Sequence, residues 1–188
     1  MAYRSTTPEL LAEAVFDIAA TRGLDAASVR EVATAADVSI GAVQHHFRTK
    51  DELYAFAFEQ LVTRVRSRIT RVDPNTPLPK RLLEALSHLL PLDAEREREG
   101  RVMLAFTARA ATNESLARLQ SRTLDELRAG LAIPLAEAGI PDPELHAALL
   151  LSAVDGLTMD ALSTRGLYTP TQLTKLVSLQ VQLILAHA

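Results

Sequence analysis

The segment between residues 28 and 47 carries the side chains whose types and spacing are best suited to recognising another molecule. Two short helices are predicted there, joined by a turn over residues 37–39. Small apolar residues would pack these helices together at a steep angle, namely Val32, Ala33, Val38, Val43 and Phe47. The opposite face of the second helix is slim and nearly uncharged, with Gly41, Ala42 and His45 flanked by Gln44 and His46. Such a face fits the major groove of double-stranded DNA, which is about 12 Å wide.

The starts of the predicted helices offer candidate contacts to phosphate groups. Ser28 and Thr49 stand where two helices begin, and the unpaired N–H groups and positive dipole end of a helix start attract anions. Lys50 adds a full positive charge beside Thr49, and Arg30 projects from the start of the helix that Ser28 opens. Ser39 and Ile40 open the helix that would enter the groove, and they complete the predicted DNA-binding set.

Other chemistries fit these residues less well. His45 and His46 are adjacent, so their side chains point about 100° apart on a helix and cannot share one metal ion. Asp37, Ser39 and His46 lie on one short turn, without the Gly-x-Ser-x-Gly elbow and strand of a hydrolase nucleophile. The chain has no cysteine, which rules out disulfides, thiolate metal sites and a cysteine nucleophile. We therefore expect no enzymatic activity, no metal and no cofactor.

Composition and charge place the chain among ordinary globular proteins. Of its 188 residues 48% are hydrophobic and 23% charged, and the net charge is −3. Residues 1–72 hold nine Lys or Arg and nine Asp or Glu, whereas residues 73–188 hold eleven and fourteen. DNA contact would therefore depend on a few placed residues rather than on a broad basic field. The sequence has neither a secretory signal nor about 18 unbroken apolar residues, so we expect a cytoplasmic protein with no membrane partner.

The elements that must position these side chains are predicted to be helices throughout. Apolar residues recur at helical spacing, and no segment alternates as a strand would. Capping boxes are predicted at Ser28–Glu31 and Thr49–Glu52, and Pro134 should kink the helix that contains it. The predicted fold is all-α with nine helices, over residues 7–22, 28–36, 40–47, 49–71, 80–90, 94–112, 114–138, 143–163 and 171–186.

Two charged stretches are predicted to be solvated surface rather than binding sites. Arg64, Arg66, Arg68 and Arg71 stand mostly two residues apart, and steps of two do not stay on one side of a helix. Residues 93–100 alternate acidic and basic side chains, which is typical of the exposed start of a helix.

The run ASVREVATAADVSIGAVQHHFRTKDEL resembles the DNA-binding head of the tetracycline-repressor (TetR) family, and the resemblance covers residues 8–60. The matching positions are Val38, Ser39, Gly41, Val43, His46, Phe47, Lys50 and Leu53. The resemblance implies that the third helix is the recognition helix and that Lys50 meets the DNA backbone. Gln44 departs from the family pattern, which usually has Tyr there, and Ile40 replaces the frequent Lys or Thr.

The resemblance also implies two domains and a dimer. Residues 1–50 would form the helix-turn-helix domain and residues 51–188 the ligand-binding and dimerisation domain, with the helix at 50–71 connecting them. Helices 4–7 would enclose an effector pocket whose walls include Val62, Met103, Phe106, Thr107, Arg109, Leu127, Thr158 and Met159. Because the last two helices are apolar nearly all round, they are predicted to form the homodimer interface through Leu150, Val154, Gly156, Leu157, Leu173, Val177, Val181 and Ile184.

The predicted function is a ligand-responsive transcriptional regulator, in the first place a repressor. A dimer would bind a palindromic operator with two recognition helices about 34 Å apart, and a small-molecule effector would release it. Two alternatives stay open at the level of sequence. One is an all-helical binding protein or metabolic enzyme with a vestigial head, and the other is an adaptor whose head binds protein.

Overall fold

The structure, a computed structural model, describes residues 6–186, and this part of the chain contains nine α-helices and no strand. The all-α prediction is therefore confirmed, with helix ends within three residues of those expected. A 3₁₀ turn over Leu24–Ala26, which the sequence analysis missed, precedes the second helix. The helices are α1 Pro8–Arg22, α2 Val29–Ala35, α3 Ile40–His46, α4 Lys50–Ile69, α5 Leu78–Ser87, α6 Ala94–Ala110, α7 Glu114–Glu137, α8 Pro143–Ser163 and α9 Pro170–Leu185.

The chain divides into two compact units, and the division falls inside three helices. The head unit comprises the residues up to Thr63 together with Arg101–Gln120. The body unit comprises Arg64–Gly100 and the residues from Ser121 onward. Helices α4, α6 and α7 each begin in one unit and end in the other.

The core of the head unit is built from the apolar faces of α1–α4 and the second half of α6. Val32 and Val43 are fully buried, which fixes the contact between α2 and α3. Phe106 on α6 packs against two aromatic rings of α4, with its ring centroid 6.2 Å from that of Tyr54 and 5.3 Å from that of Phe58. The head unit therefore depends on a segment that is distant from it in sequence.

The core of the body unit joins α5, α7, α8 and α9, and α9 packs against both α5 and α8. Its buried residues are Leu82, Leu86, Leu90, Ala132, Leu135, Ile140, Ala147, Leu150, Leu151, Val154, Leu173, Val177, Val181 and Ile184. Helix α8 has the length and mean hydropathy, 1.3 over 18 residues, of a membrane-crossing helix. Six of its residues are buried in the chain, which accounts for part of that apolar character.

The two charged stretches are not simply solvated, so that prediction needs correction. Arg68 is half-buried and forms an ion pair with Glu99, which is only 6% exposed. Arg66 pairs with Glu126 on α7. The pairs join segments that are distant in sequence, and residue spacing within one helix carries no sign of them.

Candidate nucleic-acid interface and ligand cavity

The helix-turn-helix segment is held by hydrogen bonds at each helix start. The hydroxyl of Ser28 accepts a hydrogen bond from the N–H of Glu31 at 3.2 Å, and that of Ser39 accepts one from Ala42 at 3.1 Å. Between the two helices, Asp37 adopts a left-handed conformation with φ of 54°, which Asp tolerates better than most residues. The predicted Ser28–Glu31 capping box is only half formed, because the Glu31 carboxylate pairs with Arg22 at 2.8 Å.

Helix α3 has one buried face and one open face. Val43 is fully buried and Phe47 is 8% exposed, so the helix is fixed to the head core by these two side chains. Ile40 is 41% exposed. Gly41, Gln44 and His45 are also exposed, and Ala42 is half-buried. The open face is thus the one that the sequence analysis assigned to recognition.

His46 has an internal partner. One nitrogen of its ring, Nε2, lies 3.0 Å from the backbone carbonyl oxygen of Thr6. The side chain is half-buried and ties the end of α3 to the chain just before α1. Within the predicted DNA-binding set, His46 therefore also has a positioning role that the sequence analysis did not foresee.

Lys50 lies over the ring of Tyr54, with its Nζ 5.1 Å from the ring centroid and 3.4 Å from the carbonyl oxygen of Asp25. The hydroxyl of Tyr54 donates to the carbonyl oxygens of Leu24 and Ala27, at 2.5 and 3.1 Å. Burial raises the pKa of Tyr54, although the nearby Lys50 acts in the opposite direction. Tyr54 thus connects the first turn of α4 to the 3₁₀ turn before α2.

Tyr54 is a positioning residue of the head that the sequence analysis missed. Its place among the buried residues of α4 gave a signal for core packing, but nothing in the spacing indicated that its hydroxyl would bond to residues about 30 positions earlier.

The start of α4 is capped by its flanking residues. The hydroxyl of Thr49 accepts a hydrogen bond from the N–H of Glu52 at 3.1 Å. The carboxylate of Glu52 accepts a hydrogen bond from the N–H of Arg48 at 2.8 Å. In the predicted capping box, its donor would be the N–H of Thr49, one residue later. Arg30 and Thr49 are both exposed. Arg30 and Lys50 supply the positive charge in the predicted phosphate-contact set, while Ser28 and Thr49 hold the helix starts in place.

The body unit contains a cavity of about 590 Å³ between the end of α4, α5, α7 and α8. This volume lies within the usual range for small-molecule sites. The lining residues are Arg66, Ile69, Thr70, Val72, Pro74, Arg81, Leu82, Ala85, Leu86, Leu89, Glu126, Leu127, Gly130, Leu131, Ile133, Pro134, Glu137 and Leu151. Most of the lining is aliphatic.

Only Leu127 of the eight residues predicted to bind ligand lines this cavity. Phe106 is buried in the head core, and Arg109 lies 3.8 Å from Asp25. Thr107 accepts a hydrogen bond from Gln120 at 3.2 Å. Thr158 donates to the carbonyl of Leu89 at 3.3 Å, Met159 is 51% exposed, and Val62 and Met103 are half-buried away from the cavity lining.

Most of the predicted dimer-interface residues belong to the core of their own chain. Six residues of the predicted interface set are at most 4% exposed, namely Leu150, Val154, Leu173, Val177, Val181 and Ile184. Helical spacing showed that α8 and α9 have two apolar faces, but it could not show which face the body covers. The open face carries Leu149, Leu176, Leu179 and Leu183, which are 56, 38, 52 and 49% exposed.

A groove of about 360 Å³ runs along this open face between α8 and α9. Gly156 and Leu157, both in the predicted interface set, line it together with Leu176, Leu179 and Leu183. Leu150, Val154 and Val177 also line it, from their buried positions. A Cβ atom added at Gly156 would meet nothing within 4 Å, so this part of α8 leaves room for close approach.

Known protein families match both the helix-turn-helix segment and the C-terminal helices of this chain. Residues 10–56 match the family described as bacterial regulatory proteins of the tetR family. Residues 79–186 match the C-terminal domain described as that of a BetI-type transcriptional repressor. The HTH-type transcriptional regulator PksA of Bacillus subtilis is 32% identical over 157 residues, which cover 81% of this chain and 77% of PksA.

Solved structures of transcriptional regulators have the same fold. A regulator from Rhodococcus is 50% identical with a TM-score of 0.93, covering 96% of this chain and 97% of its own. A regulator from Saccharomonospora viridis in complex with choline is 17% identical with a TM-score of 0.85, covering 95% and 97%. The relatives are transcriptional regulators and not enzymes. The chain therefore belongs to the TetR family of transcriptional regulators, with a helix-turn-helix head and a BetI-type C-terminal domain.

Proposed function

We propose that the protein is a ligand-responsive repressor that binds a palindromic operator as a homodimer and is released by a small-molecule effector. The observation that carries this proposal is the open face of α3, which is held outward while Val43 and Phe47 fix the helix to the head core. We expect the protein to act in the cytoplasm, where the DNA of a bacterial cell is found.

Sequence preference would come from the open face of α3. Gln44 can form two hydrogen bonds to the edge of an adenine, and Gly41 and Ala42 allow the helix backbone to approach the bases closely. Ile40 offers an apolar contact of the kind that recognises a thymine methyl group. Arg30 and Lys50 would contact phosphates and fix the position of the head on the duplex without reading its sequence.

A second copy of the chain is the proposed occupant of the open face of α8 and α9. The exposed leucines at positions 149, 176, 179 and 183 form an apolar surface that a soluble monomer rarely leaves in water. Packing α8 and α9 against their copies would give a four-helix interface related by a two-fold axis. Two heads related by that axis would match a palindromic operator.

The effector is proposed to bind in the body cavity and to act through helix α4. Arg66 and Ile69 in the last turns of α4 line the cavity, and the same helix begins at Lys50. Binding that displaces the end of α4 would change the placement of Lys50 and of the head. The effector can shift the equilibrium only as far as its affinities for the two states differ.

A fluorescence anisotropy titration tests the DNA-binding half of this proposal. The full-length protein is titrated against duplexes from the region flanking its own gene and against a scrambled duplex of equal length. We expect saturable, salt-sensitive binding with a stoichiometry of two chains per operator. Equal affinity for both duplexes, or binding of one chain per site, would contradict the proposal. No saturable binding would favour an adaptor whose head binds protein.

A further inference from the structure

The lining of the body cavity restricts the chemistry of its ligand, and this inference rests on the proposed function. Twelve aliphatic or proline residues line the cavity, and among the described residues around it none is aromatic. Quaternary ammonium ligands are characteristically held against aromatic rings through cation–π contacts. The cavity therefore lacks the feature that would hold a ligand such as the choline bound by the Saccharomonospora viridis regulator.

The charged residues that line the cavity have no net formal charge. Arg66 is paired with Glu126, and Arg81 donates a hydrogen bond to the carbonyl oxygen of Pro74 at 2.9 Å. The remaining charged residue among the described lining residues, Glu137, is exposed. The two arginines and two glutamates cancel in formal charge. A charged ligand would lose hydration beside a mainly aliphatic lining of zero net charge, and that loss is costly.

Helix α7 provides a polar group at the cavity. Pro134 has no N–H, so the carbonyl oxygen of Gly130, four residues earlier, receives no helical hydrogen bond from it. Both residues line the cavity, and Gly130 is exposed. A carbonyl oxygen accepts hydrogen bonds, so it favours a ligand that carries a donor.

We propose that the cavity binds an uncharged, mainly aliphatic molecule that carries a hydroxyl or amide N–H group, which donates a hydrogen bond to the carbonyl oxygen of Gly130. The aliphatic part would pack against leucines of α5 and α7, among them Leu82, Leu86 and Leu131. A cation, a quaternary ammonium ion above all, and a carboxylate would bind more weakly.

Three probes of equal chain length separate these possibilities: 1-octanol, octanoate and octyltrimethylammonium, with choline as a fourth. Binding to the full-length protein is measured by calorimetry without DNA. We expect 1-octanol to bind at least about tenfold more tightly than the charged probes. Tighter binding of octyltrimethylammonium or choline would overturn the inference, and so would tighter binding of octanoate. If none of the probes binds, the assigned ligand class is wrong.

A substitution at Gly130 shows whether binding occurs in this cavity. A Cβ atom at Gly130 meets nothing within 4 Å, so Gly130→Leu fits the fold and improves helix propensity. Because Gly130 lines the cavity, we expect the larger side chain to occupy part of it. We expect it to weaken 1-octanol binding at least about tenfold. Ala129→Leu, at an exposed neighbour outside the lining, is the matched control and should leave binding unchanged. Equal effects of the two substitutions would overturn the assignment.

The outcome is separable from that of the proposed function. Loss of operator binding in the anisotropy titration would contradict the repressor proposal and would leave the calorimetric result intact. Operator binding with no 1-octanol affinity would contradict the ligand class alone.

Discussion

The guanidinium group of Arg68, in the last turn of α4, forms two hydrogen bonds with the carboxylate of Glu99 on α6. The Nη1–Oε1 distance is 3.0 Å, and Nη2 contacts Oε2. The side chains are 20% and 7% exposed, so the pair is largely removed from water. The hydrogen bond from Arg68 to Glu99 raises the pKa of Arg68, which keeps the guanidinium group protonated. The end of α4, which the proposed switch must move, is therefore held by a buried contact.

Glu99→Gln should lower the free energy of unfolding by about 3 kcal/mol, because it leaves the Arg68 charge buried without a counterion. Denaturant unfolding followed by circular dichroism measures the change. Glu95→Gln is the matched control, since Glu95 is 69% exposed and lies 3.8 Å from Arg68. This change should cost less than about 0.5 kcal/mol. Equal losses would show that the buried pair contributes no more than a surface contact.

His88 should make stability fall as the pH drops from about 7 towards 5. Burial lowers the pKa of His88 below its ordinary 6.5, with Arg68 and Arg96 adding to the effect and Glu84 opposing it. The unfolded chain therefore takes up the proton first, and protonation favours unfolding by at most about 1.4 kcal/mol per pH unit. Urea unfolding at both pH values should show a smaller difference for His88→Gln. The exposed His45→Gln control should show the same pH dependence of stability as the parent protein. If His88→Gln also shows the parent's pH dependence, the prediction is wrong.

Tyr54→Phe should lower the free energy of unfolding by about 1–2 kcal/mol, because the carbonyls of Leu24 and Ala27 lose their hydroxyl donor. The 3₁₀ turn before α2 would loosen, so operator affinity should fall as well. Thermal unfolding and anisotropy measure the two effects. Tyr168→Phe removes the same atom from a half-buried tyrosine of the body unit and should leave operator affinity unchanged. A loss of affinity in both variants would argue against the specific role of Tyr54.

Lys50→Ala and Gln44→Ala should affect operator binding in different ways. Loss of the Lys50 phosphate contact should weaken binding about equally for all DNA sequences. It should also reduce the slope of log affinity against log salt concentration by about 0.9. Loss of Gln44 should change which operator variant is preferred, by about 1–3 kcal/mol at one base pair. Anisotropy against a set of single-base operator variants separates the two outcomes. Lys80→Ala, at an exposed lysine of α5, is the control. A Lys50 variant with altered preference but unchanged overall affinity would contradict the assignment.

Leu183→Lys should convert the proposed dimer to a monomer, because it places a charge in the proposed apolar interface. Size-exclusion chromatography with light scattering measures the mass. Gln182→Lys introduces the same charge at an exposed position next to Leu183 but outside the groove, and it should leave the dimer intact. A dimer that tolerates Leu183→Lys would place the interface elsewhere.

The head was largely predictable from the sequence, because its geometry depends on short-range signals. Capping residues, small apolar contacts and the three-residue turn all lie within 20 positions, and the structure reproduces their arrangement. The side-chain partners were less predictable. Glu31 bonds to Arg22 rather than closing its capping box, and His46 bonds to Thr6. Both partners are brought close by the packing of α1, which local spacing does not encode.

The helices of the body were predictable from the sequence, but the faces that they bury and the faces that they expose were not. Periodicity identified the apolar character of α8 and α9, yet Val181 is buried in the core whereas Leu183 is half-exposed. Which face is covered depends on the packing of α5 against α9, a long-range contact. For the same reason, Leu127 is the one member of the predicted ligand-binding set that lines the body cavity. Its other walls come from the end of α4, α5, α7 and α8, and no sequence pattern indicated that Arg66 and Glu126 would pair there.

The participation of Arg101–Gln120 in the head unit affects any attempt to build chimeric sensors from this protein. A junction placed directly after the helix-turn-helix segment would transplant Tyr54 and Phe58 without the Phe106 ring that they pack against. Exposing these two aromatic side chains would favour aggregation over a working hybrid. A recombination design should therefore exchange the first 63 residues and the 101–120 segment as one block.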